Sequence, residues 1–113
     1  MKTVKITRKQ AEPVLKASFP EYRGRTIRVD FSGTVCFHDT NWGDGSRNYY
    51  HGVKADGTSK RMVVPAPWVN PVEGKTMLIP SDVLIVEHSI FCGHDCGITI
   101  YAHPQYAPKW LTA

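Results

Sequence analysis

The sequence predicts an α+β domain: one N-terminal helix followed by a strongly curved antiparallel sheet of six or seven short strands. Three observations predict it. Apolar residues recur at helical spacing only near the start of the chain. From Arg25 onward they alternate with polar residues, the period of a half-buried strand. Turn signals separate the alternating runs, and Asp56-Gly57 is the strongest of them, because glycine accepts the positive φ of a tight hairpin turn.

The helix is predicted from Thr7 to Ser18. Thr7 and Gln10 have the spacing of a capping box, and Ala11, Val14, Leu15 and Ser18 form one stripe. Arg8, Glu12 and Lys16 fall together away from that stripe, with Lys9 beside them, so the charges face outward. Pro13 lies past the first turn, where its missing N–H and ring should kink the helix or delay its start. Phe19 and Pro20 end it, and Tyr22 to Gly24 turn out of it.

Ile27, Val29 and Phe31 alternate with Arg28 and Asp30 as a first strand, and Gly33 turns or bulges the chain toward a second, Thr34 to His38. Residues 39–46 (DTNWGDGS) read as loop and residues 47–54 (RNYYHGVK) as strand, with a return strand over Ser59 to Val64. Pro65, Pro67 and Pro71 exclude a regular central strand around Trp68. A short strand over Lys75 to Ile79 and a Pro80-Ser81-Asp82 turn precede Val83-Leu84-Ile85-Val86, the most apolar run and the expected central strand. After the CGHDC loop, Ile98 to Tyr101 reads as its antiparallel partner.

At 113 residues and 12.7 kDa the chain predicts one domain over 1–113, divided into a basic helical segment (1–24), a barrel-like body (25–103) and an irregular tail (104–113). With 42% hydrophobic residues and an aromatic content of 11%, it can bury a core, which excludes disordered, collagen-like and low-complexity classes. No apolar run reaches membrane-spanning length, and the first twenty residues carry charges where a signal peptide needs an apolar stretch. A soluble, cytoplasmic protein without a membrane partner is therefore expected. Three cysteines cannot all pair within the chain, which argues against a secreted disulfide framework. Edge strands in a short sheet leave dimerisation open.

The layout, a meander with a Pro-Ser-Asp turn between late strands and a short last strand, resembles an SH3-like barrel with an added N-terminal helix. The stretch IPSDVLIVEHSIFCGHDCGITIYAHP resembles segments of small uncharacterised bacterial and phage-encoded proteins. That resemblance implies a small accessory or inhibitory protein of a phage or mobile element, and carries over no catalytic residue.

Charge is uneven. Residues 1–28 hold eight Lys/Arg against Glu12 and Glu21, a net of +6, whereas the remainder is −2. A basic segment such as this meets phosphate, an acidic protein face, or only water. Arg23, Arg25 and Arg28 are its candidate contact residues. The second candidate surface is Trp42, Arg47, Asn48, Tyr49 and Tyr50, followed by His51, because rigid aromatics give contact area at low entropic cost and Arg adds directional hydrogen bonds. Alternation prevents Tyr49 and Tyr50 from both facing the core, while Trp42 has the plainer role of plugging a barrel end.

Cys92, His94 and Cys96, with Cys36 and His38 two apart on a strand, have the ligand types of a zinc site. The plainer reading is that the cysteines pack as small apolar groups and the glycines make a turn. A thiol or histidine enzyme would take Cys92 or Cys96 as nucleophile, His94, His88 or His38 as base, and Asp95 or Asp39 as orienter, but no family-specific spacing supports it. The expectation is a non-enzymatic binding protein without a cofactor. A protein partner is favoured over nucleic acid, since the acidic body repels phosphate. The alternatives are a nucleic-acid-binding module, a structural zinc domain and the thiol or histidine enzyme. The nucleic-acid alternative requires the aromatic and basic surfaces to be contiguous.

Overall fold

The computed structural model describes residues 3–37, 47–54, 61–62, 76–91 and 94–106, with the backbone alone at 47, 61–62, 91, 94–96 and 106. In chain order it contains β1 (Thr3–Lys5), α1 (Arg8–Ala17), β2 (Ile27–Asp30), β3 (Thr34–Cys36), β4 (Arg47–Lys54), β5 (Arg61–Met62), β6 (Thr76–Leu78), β7 (Val83–Phe91) and β8 (His94–Tyr101), then a single 3-10 turn at Pro104–Tyr106.

The helix follows its sequence pattern. Thr7 caps it by accepting from the Gln10 main-chain N–H at 3.1 Å, while the Gln10 side chain accepts from the Thr7 N–H at 2.9 Å. Ala11, Val14, Leu15, Ala17 and Ser18 are buried, and Arg8, Glu12 and Lys16 are exposed. The buried Ser18 hydroxyl donates to the Val14 carbonyl at 2.7 Å, so helix termination leaves that polar group satisfied. Pro13 does not delay the helix. It sits on the solvent side, and the carbonyl four residues earlier, which loses its donor, belongs to exposed Lys9 and remains accessible to water.

Six strands form one sheet in the order β1-β2-β8-β7-β4-β5, and β3 pairs with β6 in a separate two-stranded sheet. Two expectations are corrected here. The large sheet is mixed, because β2 runs parallel to β8 with Ile27 opposite Ile98 and Val29 opposite Ile100. It is also open: among the described residues β1 and β5 are its ends, and no barrel closes. The supposed helical segment 1–24 contributes β1, whose residues Thr3 to Lys5 pair antiparallel with Asp30 to Arg28. Segment and body are thus joined by main-chain hydrogen bonds, extended by the Ile6 N–H donating to the Ile27 carbonyl at 3.0 Å.

The expected central run lies within β7, which pairs with both β4 and β8. The β4–β5 ladder, with Gly52 opposite Met62, has the antiparallel sense of the predicted hairpin. Its Asp56-Gly57 turn lies outside the described residues, as do most of the Ser59–Val64 strand and the stretch around Trp68. Part of the CGHDC segment is strand and not loop: β8 begins at His94, and a register shift occurs where Ser89 faces Gly97 but Ile90 faces Asp95. Gly97 has φ +136°, and a Cβ there would approach the Thr26 side chain within 3.2 Å. Gly33, at φ +84°, turns β2 toward β3 as its sequence position suggests.

Alternation along the strands gives the large sheet two different faces. One is covered by α1 and holds Val29, Val53, Leu84, Val86, Ile98 and Ile100 together with Ala11, Val14 and Leu15. The second core cluster, Val35, Phe37, Ile79 and Ile85 with partly buried Tyr50 and Tyr101, joins the opposite face to the β3–β6 pair. At most about 1.5–3 kcal/mol comes from each fully buried aliphatic side chain, so these two clusters hold the layers together.

Candidate functional site

Where β4 meets the chain leaving α1, four rings come together. Phe19 lies 4.6 Å from the His51 ring and 5.1 Å from His88, and Tyr22 lies 5.2 Å from His88 in an edge arrangement. Parity explains the meeting. His51 and His88 fall on the helix-covered face of β4 and β7, and Phe19 and Tyr22 follow immediately after the helix on that face. Tyr49, directly across the ladder from His88, shares their side of the sheet and is 44% exposed. The cluster therefore ends in an accessible ring.

Two guanidinium groups flank it. Arg8 lies over the Tyr22 ring, 5.9 Å from its centroid, and donates to the Tyr22 carbonyl and, at 3.0 Å, to the Gly24 carbonyl. Arg23 donates to the Pro20 carbonyl at 2.9 Å. Both are held by neutral main-chain acceptors, which orient the cations and leave their charge intact. Arg25, Lys16 and Lys9 are exposed nearby in sequence.

The opposite face carries a different arrangement. Glu87, only 6% exposed, accepts one hydrogen bond on each carboxylate oxygen, from the Tyr50 hydroxyl and the Tyr101 hydroxyl, both at 2.7 Å. Tyr50 stands across the ladder from Glu87, and its ring meets Phe37 edge-on at 4.8 Å. Burial first, and the adjoining Glu87 carboxylate second, push the Tyr101 phenol well above its ordinary range. A phenol so displaced neither gives nor takes a proton readily near neutral pH. The trio works as a clasp across three strands, and among the described residues no buried side-chain polar atom lacks a partner.

The structure divides the residues singled out by sequence. Tyr49 and Arg23 share the helix-side corner. Tyr50 and Arg28 belong to the other face, where Arg28 pairs in register with Thr99 and Thr99 with Glu87. Asn48, half-buried opposite Ser89, has the same strand parity as Tyr50. Tyr50 is partly buried there, packed on Phe37 and bonded to Glu87. Arg47 is placed only by its backbone, opposite Ile90, and Trp42 lies outside the described residues.

For the metal reading, Cys36 is half-buried with a free thiol on β3, and the backbones of His94 and Cys96 lie in β8, a strand with which β3 does not pair. His38 and Cys92 lie outside the described residues, as does Asp39 of the enzyme reading. Among the described residues no group of three His, Cys, Asp or Glu side chains converges. The exposed Leu78 (79%) of β6 stands apart as a single surface leucine, which by itself needs no partner.

Sequence reasoning missed Glu87, Tyr101, Phe19, Tyr22 and Arg8 as site members. Glu87 had a signal, being the carboxylate that directly follows the most apolar run. Tyr101 acquires meaning only from pairing across strands, and Phe19, Tyr22 and Arg8 only from contacts with each other and with the sheet. No family model, curated protein or solved structure matches the chain. No helix among the described residues is long and apolar enough to cross a membrane.

Proposed function

We propose that the protein is a non-enzymatic binding domain that engages a macromolecule at the corner where β4 meets the chain leaving α1. The observation that carries this reading is Tyr49, a large ring 44% exposed on a sheet face where its neighbours His51, His88, Phe19 and Tyr22 pack into a cluster. Exposed aromatics backed by a rigid layer lose little entropy on contact and are the common anchors of recognition surfaces.

The experiment is affinity capture from the native host with immobilised wild-type protein, Tyr49→Thr and, as a control on the other sheet, Leu78→Ser. Eluates are analysed for both protein and nucleic acid. Tyr49→Thr should lose a macromolecule that the wild type and Leu78→Ser both retain. Identical eluates from wild type and Tyr49→Thr would remove this corner as the recognition site.

A further inference from the structure

Building on the Tyr49 corner as the recognition surface, we propose that its partner is a single-stranded nucleic acid, with Tyr49 stacking on a base and Arg23, Arg25 and Lys16 meeting the phosphates. Strand register and ring contacts link Tyr49 to the basic groups beside the cluster. Tyr49 faces His88 across the ladder, the His88 ring abuts Tyr22, Arg8 lies over Tyr22, and Arg23 is anchored beside it. A base offers a π face to an accessible ring whatever its identity, and a backbone that tracks cations follows from the same arrangement.

The charges of the described residues suit a phosphate backbone once the layers are considered. Asp30 and Glu87 have the strand parity of the face that packs on the β3–β6 pair, so the sheet itself separates them from the Tyr49 corner. Among the described residues from α1 to Arg25, exposed Arg8, Lys9, Lys16, Arg23 and Arg25 outnumber exposed Glu12 and Glu21. Two of the carboxylates that make the body acidic at the level of sequence therefore do not act at this corner. Single strands are selected because a duplex hides the faces of its bases and offers Tyr49 only backbone.

The test measures fluorescence anisotropy of a labelled mixed-sequence single strand, and of a duplex of equal length, across a salt series. Wild type, Tyr49→Thr, Tyr49→Trp and the pair Arg23→Gln with Arg25→Gln are compared, each checked by its melting temperature. The single strand should bind more tightly than the duplex, and log K should fall with log salt by about 0.7 for each phosphate neutralised. Tyr49→Thr should weaken binding about tenfold, and Tyr49→Trp should restore it. The arginine pair should flatten the salt slope. Equal affinity for duplex, or indifference to Tyr49→Thr, would overturn the proposal. If no oligonucleotide binds while Tyr49→Thr still loses a captured protein, the corner stands as the site and the partner class is wrong. If capture is also unchanged, the site reading falls with it.

Discussion

On its helix-covered face the large sheet buries a mainly aliphatic core around Leu84, Val86, Ile98 and Ile100, which Tyr22 joins and against which Phe19 and Phe31 pack. On the opposite face a smaller apolar cluster around Phe37 and Ile85 is joined to a buried carboxylate held by two tyrosines. The difference separates two uses of the same residue type. Tyr50 and Tyr101 supply hydroxyl donors to a fixed internal acceptor, whereas Tyr49 presents its ring at the surface. Since apolar packing sets stability but specifies register only by fit, the Glu87 clasp gives β4, β7 and β8 a directional lock.

The comparison breaks most completely at Phe37. Its ring is fully buried, belongs to the smaller cluster and supports Tyr50 from the side. Phe37→Ala should cost about 3–5 kcal/mol, read from the urea midpoint at unchanged m-value. A loss under about 1 kcal/mol would mean that the β3–β6 layer contributes little to the fold.

The clasp is the next target. Tyr50→Phe and Tyr101→Phe each leave one Glu87 oxygen without its donor while keeping the ring, and each should cost about 1.5–3 kcal/mol. Their combination should depart from additivity, because both act on one carboxylate. Strict additivity would mean that the two hydroxyls act independently. The alkaline limb gives a second measurement. Burial and Glu87 hold the Tyr101 phenol above its unfolded value near 10.0, so the folded state keeps this proton while the unfolded chain releases it. The associated stability is complete below about pH 10 and declines as pH rises beyond it. Denaturant midpoints from about pH 8 to about pH 11 should fall more steeply for wild type than for Tyr101→Phe, and parallel curves would contradict the assignment.

Local chemistry made the helix legible down to its cap, since the Thr7–Gln10 cap and each step of the Ala11–Val14–Leu15–Ser18 stripe join residues no more than one turn apart. Strands with clean alternation were equally legible, as in Ile27–Asp30. The sheet's connectivity was not. Pairing of β2 with β8 joins residues about seventy positions apart, and no local signal distinguishes a parallel neighbour at that range from an antiparallel meander. β1 was hidden because Thr3 to Lys5 are too few residues to show alternation within a basic stretch. The site behaved likewise: alternation forced one of Tyr49 and Tyr50 outward, but only the ladder identifies which, and only ring contacts tie Phe19 to His51.

The smallest expected effect is the sharpest test of the comparison. Tyr49 and Tyr50 are consecutive residues of the same type in one strand, so helix-or-strand preference, chain position and composition cannot separate them, and only the face does. Threonine retains strand preference while removing the ring, which isolates packing from propensity. Tyr49→Thr removes a ring from an exposed position and should move stability by no more than about 0.5 kcal/mol. Tyr50→Thr removes both the Phe37 contact and a donor to Glu87, and should cost at least about 2 kcal/mol. If Tyr49→Thr proves as costly as Tyr50→Thr, the ring is part of the helix-side core, and the corner loses the accessible anchor on which its role in recognition depends.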